Sequence, residues 1–107
     1  ALDAALDTAP ASWPAARREA RFAFRKRGEE QQFVLALDPS RPAHDVLLRA
    51  ADAGDFHAGD VTWFLGTVLE PGDTFVDVGA HVGYFSVLAS RLVGPTGVVV
   101  SFEPEED

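Results

Sequence analysis

The sequence contains the run Thr74-Phe75-Val76-Asp77-Val78-Gly79-Ala80-His81-Val82-Gly83-Tyr84-Phe85-Ser86 and, further along, the run Gly97-Val98-Val99-Val100-Ser101-Phe102-Glu103-Pro104. The first run starts with β-prone apolar residues, turns at two glycines and continues into residues of helical spacing. The second run is a short apolar segment that ends in an acid. A strand, a helix that begins at a glycine turn and a second strand make a βαβ unit. The two runs therefore predict an α/β fold with a parallel sheet.

Two glycines, Gly79 and Gly83, lie at the predicted turn between the first strand and the helix. Because neither has a Cβ, the backbone there can turn sharply and approach a ligand closely. The helix, predicted from Gly83 to about Val93, would begin with its free N–H groups directed at the same place. Ligands of open α/β sheets lie beyond the carboxyl ends of the strands. The turn therefore predicts a nucleotide-type binding site.

An acidic residue, Glu103, ends the second predicted strand about 20 positions after Gly83, the spacing at which an acid accepts hydrogen bonds from a ribose diol. The alternative is that Glu103 is a solvent-exposed residue at a strand end in an acidic tail. The glycine turn upstream favours the ligand-binding interpretation.

The glycine pattern differs from the dinucleotide-binding fingerprint, which requires G-x-G-x-x-G. This chain has Asp77-x-Gly79-x-x-x-Gly83, so the tight pyrophosphate turn is missing. The pattern resembles motif I of class I S-adenosylmethionine-dependent methyltransferases. Residues 77–86, taken together with Phe102-Glu103-Pro104, are similar to the FkbM family in particular. The resemblance is strong over residues 71–104 and weak before them.

The resemblance implies a Rossmann-like methyltransferase sheet and a set of cofactor-binding residues. The Gly79–Gly83 loop would wrap the methionine and ribose parts of S-adenosylmethionine, Glu103 would bind the ribose hydroxyls, and Asp77 would orient the amino group directly or through water. His81 stands where such proteins often carry Asn or His. The predicted cofactor-binding residues are Asp77, Gly79, Ala80, His81, Gly83, Glu103 and Pro104.

The resemblance further implies an S-adenosylmethionine-dependent O-methyltransferase whose substrate is a hydroxyl on a small metabolite or sugar. No catalytic residue can be named from the sequence. Two alternatives stay open: a nicotinamide- or flavin-dependent oxidoreductase on the same fold, and a non-catalytic segment that docks or dimerises. The ligand that raises the melting temperature, S-adenosylmethionine or a dinucleotide, would distinguish the two enzymes.

The net charge of −8 is distributed unevenly, with +3 over residues 1–27 and −11 over residues 28–107. An acidic surface around the predicted site argues against a nucleic-acid partner, which requires a positive footprint. The chain has no cysteine, which agrees with a cytoplasmic location. It also has no apolar run of about 20 residues, so we expect no membrane partner.

Three segments are predicted along the chain. Residues 1–20 are an Ala-rich linker or extension, residues 21–70 form a β-hairpin and two helices, and residues 71–107 form the first βαβ unit of the cofactor-binding domain. A doubly wound sheet needs more strands than this length provides. We therefore expect an incomplete domain, completed by the remainder of a longer chain or by a second copy.

The hairpin and the two helices are predicted from shorter patterns. Strands at residues 21–25 and 32–37 are separated by Gly28-Glu29-Glu30. A helix over residues 44–53 would bury Val46, Leu47 and Ala50, and Asp60 would cap the next helix, which Pro71-Gly72 terminates.

The remaining basic, aromatic and histidine residues are expected to have structural roles. The basic cluster of residues 17–27 would face solvent. The aromatic residues Trp63, Phe64, Tyr84 and Phe85 would pack in the core or between helices rather than line a substrate site. The three histidines lack metal-ligand spacing, so no metal site is predicted.

Overall fold

The computed structural model describes residues 17–104 and forms four strands and three helices over that range. In chain order the elements are β1 (Arg18–Lys26), β2 (Glu29–Leu37), α1 (Pro42–Asp52), α2 (Gly59–Val68), β3 (Thr74–Val78), α3 (Tyr84–Val93) and β4 (Val98–Phe102). The two sheets are an antiparallel β1–β2 hairpin and a parallel β3–β4 pair. The prediction of an α/β fold with a hairpin, two helices and a strand-helix-strand unit is confirmed at this level.

The hairpin has a two-residue turn formed by Arg27 and Gly28, whose φ angles are 54° and 80°. Two consecutive positive φ values fit the right-handed twist of the flanking strands, which explains the glycine. Lys26 is paired with Glu29, so the predicted turn over Gly28-Glu29-Glu30 is wrong in its position. β1 begins at Arg18, inside the segment predicted as a linker; residues 1–16 and 105–107 lie outside the described range.

The two faces of the hairpin differ in burial as the alternating sequence predicts. Ala20 and Phe22 on β1 are buried, together with Phe33, Leu35 and Leu37 on β2. Arg21 and Arg25 are exposed on the other face, whereas Arg18 shares the face of Ala20 and is exposed at the strand end beside Asp52. The prediction that the basic cluster faces solvent is confirmed for these arginines and is wrong for Lys26, whose side chain is 15 % exposed and donates to the Leu69 carbonyl.

The buried stripe of α1 is His44, Leu47 and Leu48, whereas Val46 is 54 % exposed. The prediction that Val46 belongs to the buried face is wrong. The three buried residues have the helical spacing i, i+3 and i+4. A search for apolar residues alone misses the first of them, because it is a histidine. The imidazole is used by the fold, because the backbone N–H of Asp38 donates to His44 Nδ1 at 3.0 Å.

Helix α2 begins at Gly59 after Ala58, which has a φ of 44°. Asp60 therefore lies inside the first turn, where its carboxylate accepts the N–H of Val61, and its predicted N-cap role is wrong. Trp63 is 72 % exposed and Phe64 is 49 % exposed. Their predicted core packing is wrong as well.

The parallel pair β3–β4 is covered on one face only among the described residues. Phe75 and Val99 pack towards the core, where α3 buries Leu88, Ala89, Leu92 and Val93. The opposite face exposes Val76, Val78, Val98, Val100 and Phe102. Parallel sheets are ordinarily buried on both faces, so this apolar surface is unusual for a parallel pair.

Candidate functional site

The carboxyl ends of β3 and β4 lie side by side, with Val78 in register with Phe102. Both Gly79 and Glu103 therefore leave the sheet at the same edge. The carbonyl oxygen of Phe102 accepts the N–H of Gly79 at 2.8 Å and that of Ala80 at 3.1 Å. The start of the glycine turn is thus anchored to the last residue of the neighbouring strand.

The turn between β3 and α3 contains three residues with positive φ: Gly79 at 76°, His81 at 54° and Gly83 at 87°. A Cβ added at Gly79 or Gly83 would meet no atom within 4 Å. The glycines are therefore required by the backbone conformation and leave open space beside the turn. His81 adopts a left-handed conformation that is uncommon for a residue with a side chain.

A hydrogen bond connects the predicted ribose-binding acid to the turn. Glu103 Oε1 accepts the backbone N–H of His81 at 3.0 Å. A carboxylate has about four lone-pair sites, so a group of this kind can accept several hydrogen bonds at once. The structure thus brings Gly79, Ala80, His81 and Glu103 together at one edge of the sheet, and Pro104, which is exposed, follows directly.

Asp77, also predicted to bind the cofactor, turns towards α3. Its Oδ2 accepts the hydroxyl of Ser86 at 2.7 Å, and Ser86 Oγ lies 2.6 Å from Ser101 Oγ. Sequence reasoning missed both serines. A signal was available for Ser101, because in-register pairing of the two predicted strands places it beside Asp77.

The first turn of α3 begins after Gly83 without a side-chain cap. Gly83 donates its N–H to Ala80 at 2.9 Å, and the helical hydrogen bonds begin with Val87 donating to Gly83. The amides of the first turn are therefore available to polar or anionic ligand atoms.

A cavity of about 360 Å³ opens beside the glycine turn. Its walls come from α1, from His57 in the α1–α2 loop, from residues 79–82 and from Tyr84 and Phe85 at the start of α3. A second cavity of about 500 Å³ lies between β2 and α3, away from the strand ends. The candidate site therefore joins the turn, Glu103 and the smaller cavity.

Tyr84 supports this site from the core. The residue is 3 % exposed and makes edge-on contacts with Phe22 and Phe33 at centroid distances of 5.2 and 5.4 Å. Its hydroxyl lies 2.9 Å from Thr62 Oγ1, which in turn donates to the carbonyl of His57 at 2.7 Å. The predicted core role of Tyr84 is confirmed.

Burial raises the pKa of Tyr84 above its ordinary value of 10.0, and the bond with Thr62 offsets part of this rise. An unfolded chain would then lose the phenolic proton at a lower pH than the folded chain. The stability due to this difference is fully present below about pH 10 and is lost as the pH rises through the folded-state pKa.

We expect the Tyr84→Phe variant to show a weaker fall in its free energy of unfolding above about pH 10 than the unmodified chain. Tyr84 is the only tyrosine of the chain, so tyrosinate absorbance reports its titration directly. Titration of the folded chain at the ordinary tyrosine pKa would contradict the prediction.

Residues 17–104 contain no group of three or more His, Cys, Asp or Glu side chains that could hold a metal ion. None of the helices in this range has the length and apolar character needed to cross a membrane.

Comparison of the chain with protein-family models, curated proteins and solved structures found no match.

Proposed function

We propose that the chain binds S-adenosylmethionine at the carboxyl ends of β3 and β4 and serves methyl transfer to a hydroxyl of a small molecule. The observation that carries the proposal is the bond between Glu103 and the His81 amide, which joins the acid to the glycine turn. In this proposal β3, α3 and β4 are the first unit of a Rossmann-like sheet, which agrees with their order and parallel pairing.

The residues present fit the adenosyl group in two respects. The turn leaves open space beside Gly79 and Gly83, and the Glu103 carboxylate is a group that can accept hydrogen bonds from two ribose hydroxyls. Asp77 is held against α3 by Ser86. We propose that Asp77 also accepts a hydrogen bond from the ligand's amino group, directly or through water, because a carboxylate can accept more than one hydrogen bond.

The chain's contribution to the reaction is mainly one of alignment. S-Adenosylmethionine supplies an electrophilic methyl group, and transfer requires the attacking oxygen to be held in line with the bond that breaks. Fixed positioning of two reactants lowers the barrier by several kcal/mol, up to about 7–11. The Phe102 carbonyl and the Glu103 carboxylate accept amide hydrogens of the turn, hold it in position and so serve this purpose.

The uncovered β3–β4 face bears on the partner prediction. Its exposed side chains include Val78 and Phe102, the last residues of the two strands that carry the site. Contact with a second copy or with further residues of a longer chain, both predicted from the sequence, remains part of the proposal.

We expect Glu103→Ala to weaken the binding of S-adenosylmethionine by about 1.5–3 kcal/mol, because hydrogen bonds to a charged group are lost. Isothermal titration calorimetry measures the change. Glu30→Ala, which removes an exposed acid from the hairpin, serves as the control and should bind normally.

Unchanged affinity of the Glu103→Ala variant would contradict the assignment of this acid. A rise in melting temperature with NAD but not with S-adenosylmethionine would instead favour the oxidoreductase alternative.

A further inference from the structure

The cavity beside the glycine turn differs in chemistry from the turn itself. Most of its wall is apolar or aromatic, with Val46 and Leu47 from α1, Val82 from the turn, and Tyr84 and Phe85 from α3. Its volume of about 360 Å³ lies within the range of about 300–1,000 Å³ typical of small-molecule sites. It shares Gly79, Ala80 and His81 with the candidate cofactor site, so a molecule inside it would lie next to the bound cofactor.

Two imidazoles, those of His57 and His81, are the polar side chains of this wall apart from the Tyr84 hydroxyl, which is bonded to Thr62. A sugar has several hydroxyls, each of which loses its hydrogen bonds to water on entry. Leaving them unpaired inside the cavity would weaken binding, because the hydrogen bonds to water would not be replaced. The wall therefore favours a molecule with an apolar body and a single hydroxyl.

His57 is the better placed of the two imidazoles to accept a proton. Its ring is half-buried and lies 5.4 Å from the Tyr84 ring, edge-on, and 6.2 Å from the Phe85 ring. Its backbone is fixed because its carbonyl accepts the Thr62 hydroxyl. The side chain of His81 is exposed on the turn. Histidine is the side chain most often used as a general base.

We propose that this cavity receives the methyl acceptor, that the acceptor is a phenol or a similarly flat apolar alcohol, and that His57 takes its proton. This inference rests on the proposed function. In the reaction, the bond between the acceptor oxygen and the methyl carbon forms as the methyl–sulfonium bond breaks. The hydroxyl proton passes to the imidazole, and the sulfur leaves as a neutral thioether.

The first test measures the binding of p-cresol to the complete chain by NMR titration in the presence of S-adenosylmethionine. Ala43→Trp places a large ring in the cavity mouth from the exposed start of α1 and should weaken p-cresol binding at least tenfold. Ala53→Trp, at the exposed end of the same helix, is the matched control and should bind p-cresol normally.

The same titrations separate this inference from the proposed function. Both tryptophan variants should bind S-adenosylmethionine within about twofold of the unmodified chain. If the proposed function is wrong, neither the unmodified chain nor any variant will bind S-adenosylmethionine. Equal loss of cofactor and p-cresol binding in Ala43→Trp would overturn the inference. Saturable binding of methyl glucoside without binding of p-cresol would overturn it too.

The second test concerns the proton. His57→Gln should bind p-cresol and S-adenosylmethionine normally but form methylated p-cresol about 100-fold more slowly, the lower end of general-base effects. Glu30→Ala, on the exposed hairpin away from the site, should transfer the methyl group at the normal rate. An unchanged rate in His57→Gln, or p-cresol binding without any methylated product in the unmodified chain, would overturn the assignment of His57.

Discussion

Replacing Tyr84 by alanine is expected to destabilise the fold by about 3–5 kcal/mol, the usual cost of deleting a large buried aromatic side chain. The Tyr84 ring contacts the hairpin through Phe22 and Phe33 and the α1–α2 loop through His57. Its loss would leave a cavity where three parts of the chain meet. Such a change is a large fraction of the stability of a small domain.

Urea unfolding followed by circular dichroism measures this effect through the transition midpoint. Phe64→Ala is the matched control, because that aromatic side chain is half exposed on α2 and should change stability by no more than about 0.5 kcal/mol. Equal shifts in both variants would show that Tyr84 does not connect these elements as the structure indicates.

Replacing Gly97 by alanine should destabilise the fold at the upper end of the range of about 1–3 kcal/mol for overpacking. A Cβ at this position would lie 2.7 Å from the carbonyl oxygen of Asp73 and 2.5 Å from Val93 Cγ2, and closer still to Val93 Cβ. Neither backbone nor a β-carbon can move aside cheaply. The end of α3 and the start of β3 would therefore have to separate from β4.

Gly66→Ala is the control for this variant. Gly66 lies within α2, and a Cβ there would meet no atom within 4 Å. The substitution should stabilise the chain by about 0.5–1 kcal/mol, because alanine favours the helix. Opposite shifts of the thermal midpoint for the two glycines are the expected result, and shifts of the same sign would contradict the close contact at Gly97.

The sequence allowed the βαβ unit to be predicted closely because its signals are local. Helix α3 was predicted over residues 83–93 and forms from Tyr84 to Val93, since the apolar spacing and both flanking glycines agree. The hairpin turn was misplaced because Arg27 adopts a positive φ, which is uncommon for arginine and is not indicated by the sequence. Trp63 and Phe64 were assigned to the core on hydrophobicity alone. Hydrophobicity does not show which side of a helix packs against the core.

The candidate site was predictable in part. Gly79, His81 and Glu103 were selected from the sequence, and the structure brings them together. The hydrogen bond between Glu103 and the His81 amide depends on the backbone conformation of the turn, which no residue pattern specifies. The cavity wall formed by α1 and His57 was not predicted, because it depends on how helices distant in sequence pack against the turn.

The Phe102 carbonyl, which accepts two amide hydrogens of the glycine turn, also has a consequence for binding thermodynamics. The turn and Glu103 are already held in place before a ligand arrives. Binding would therefore immobilise few additional backbone dihedrals, and the conformational entropy lost by the protein would be small. A preorganised edge of this kind allows even a small ligand to retain most of its interaction energy as affinity.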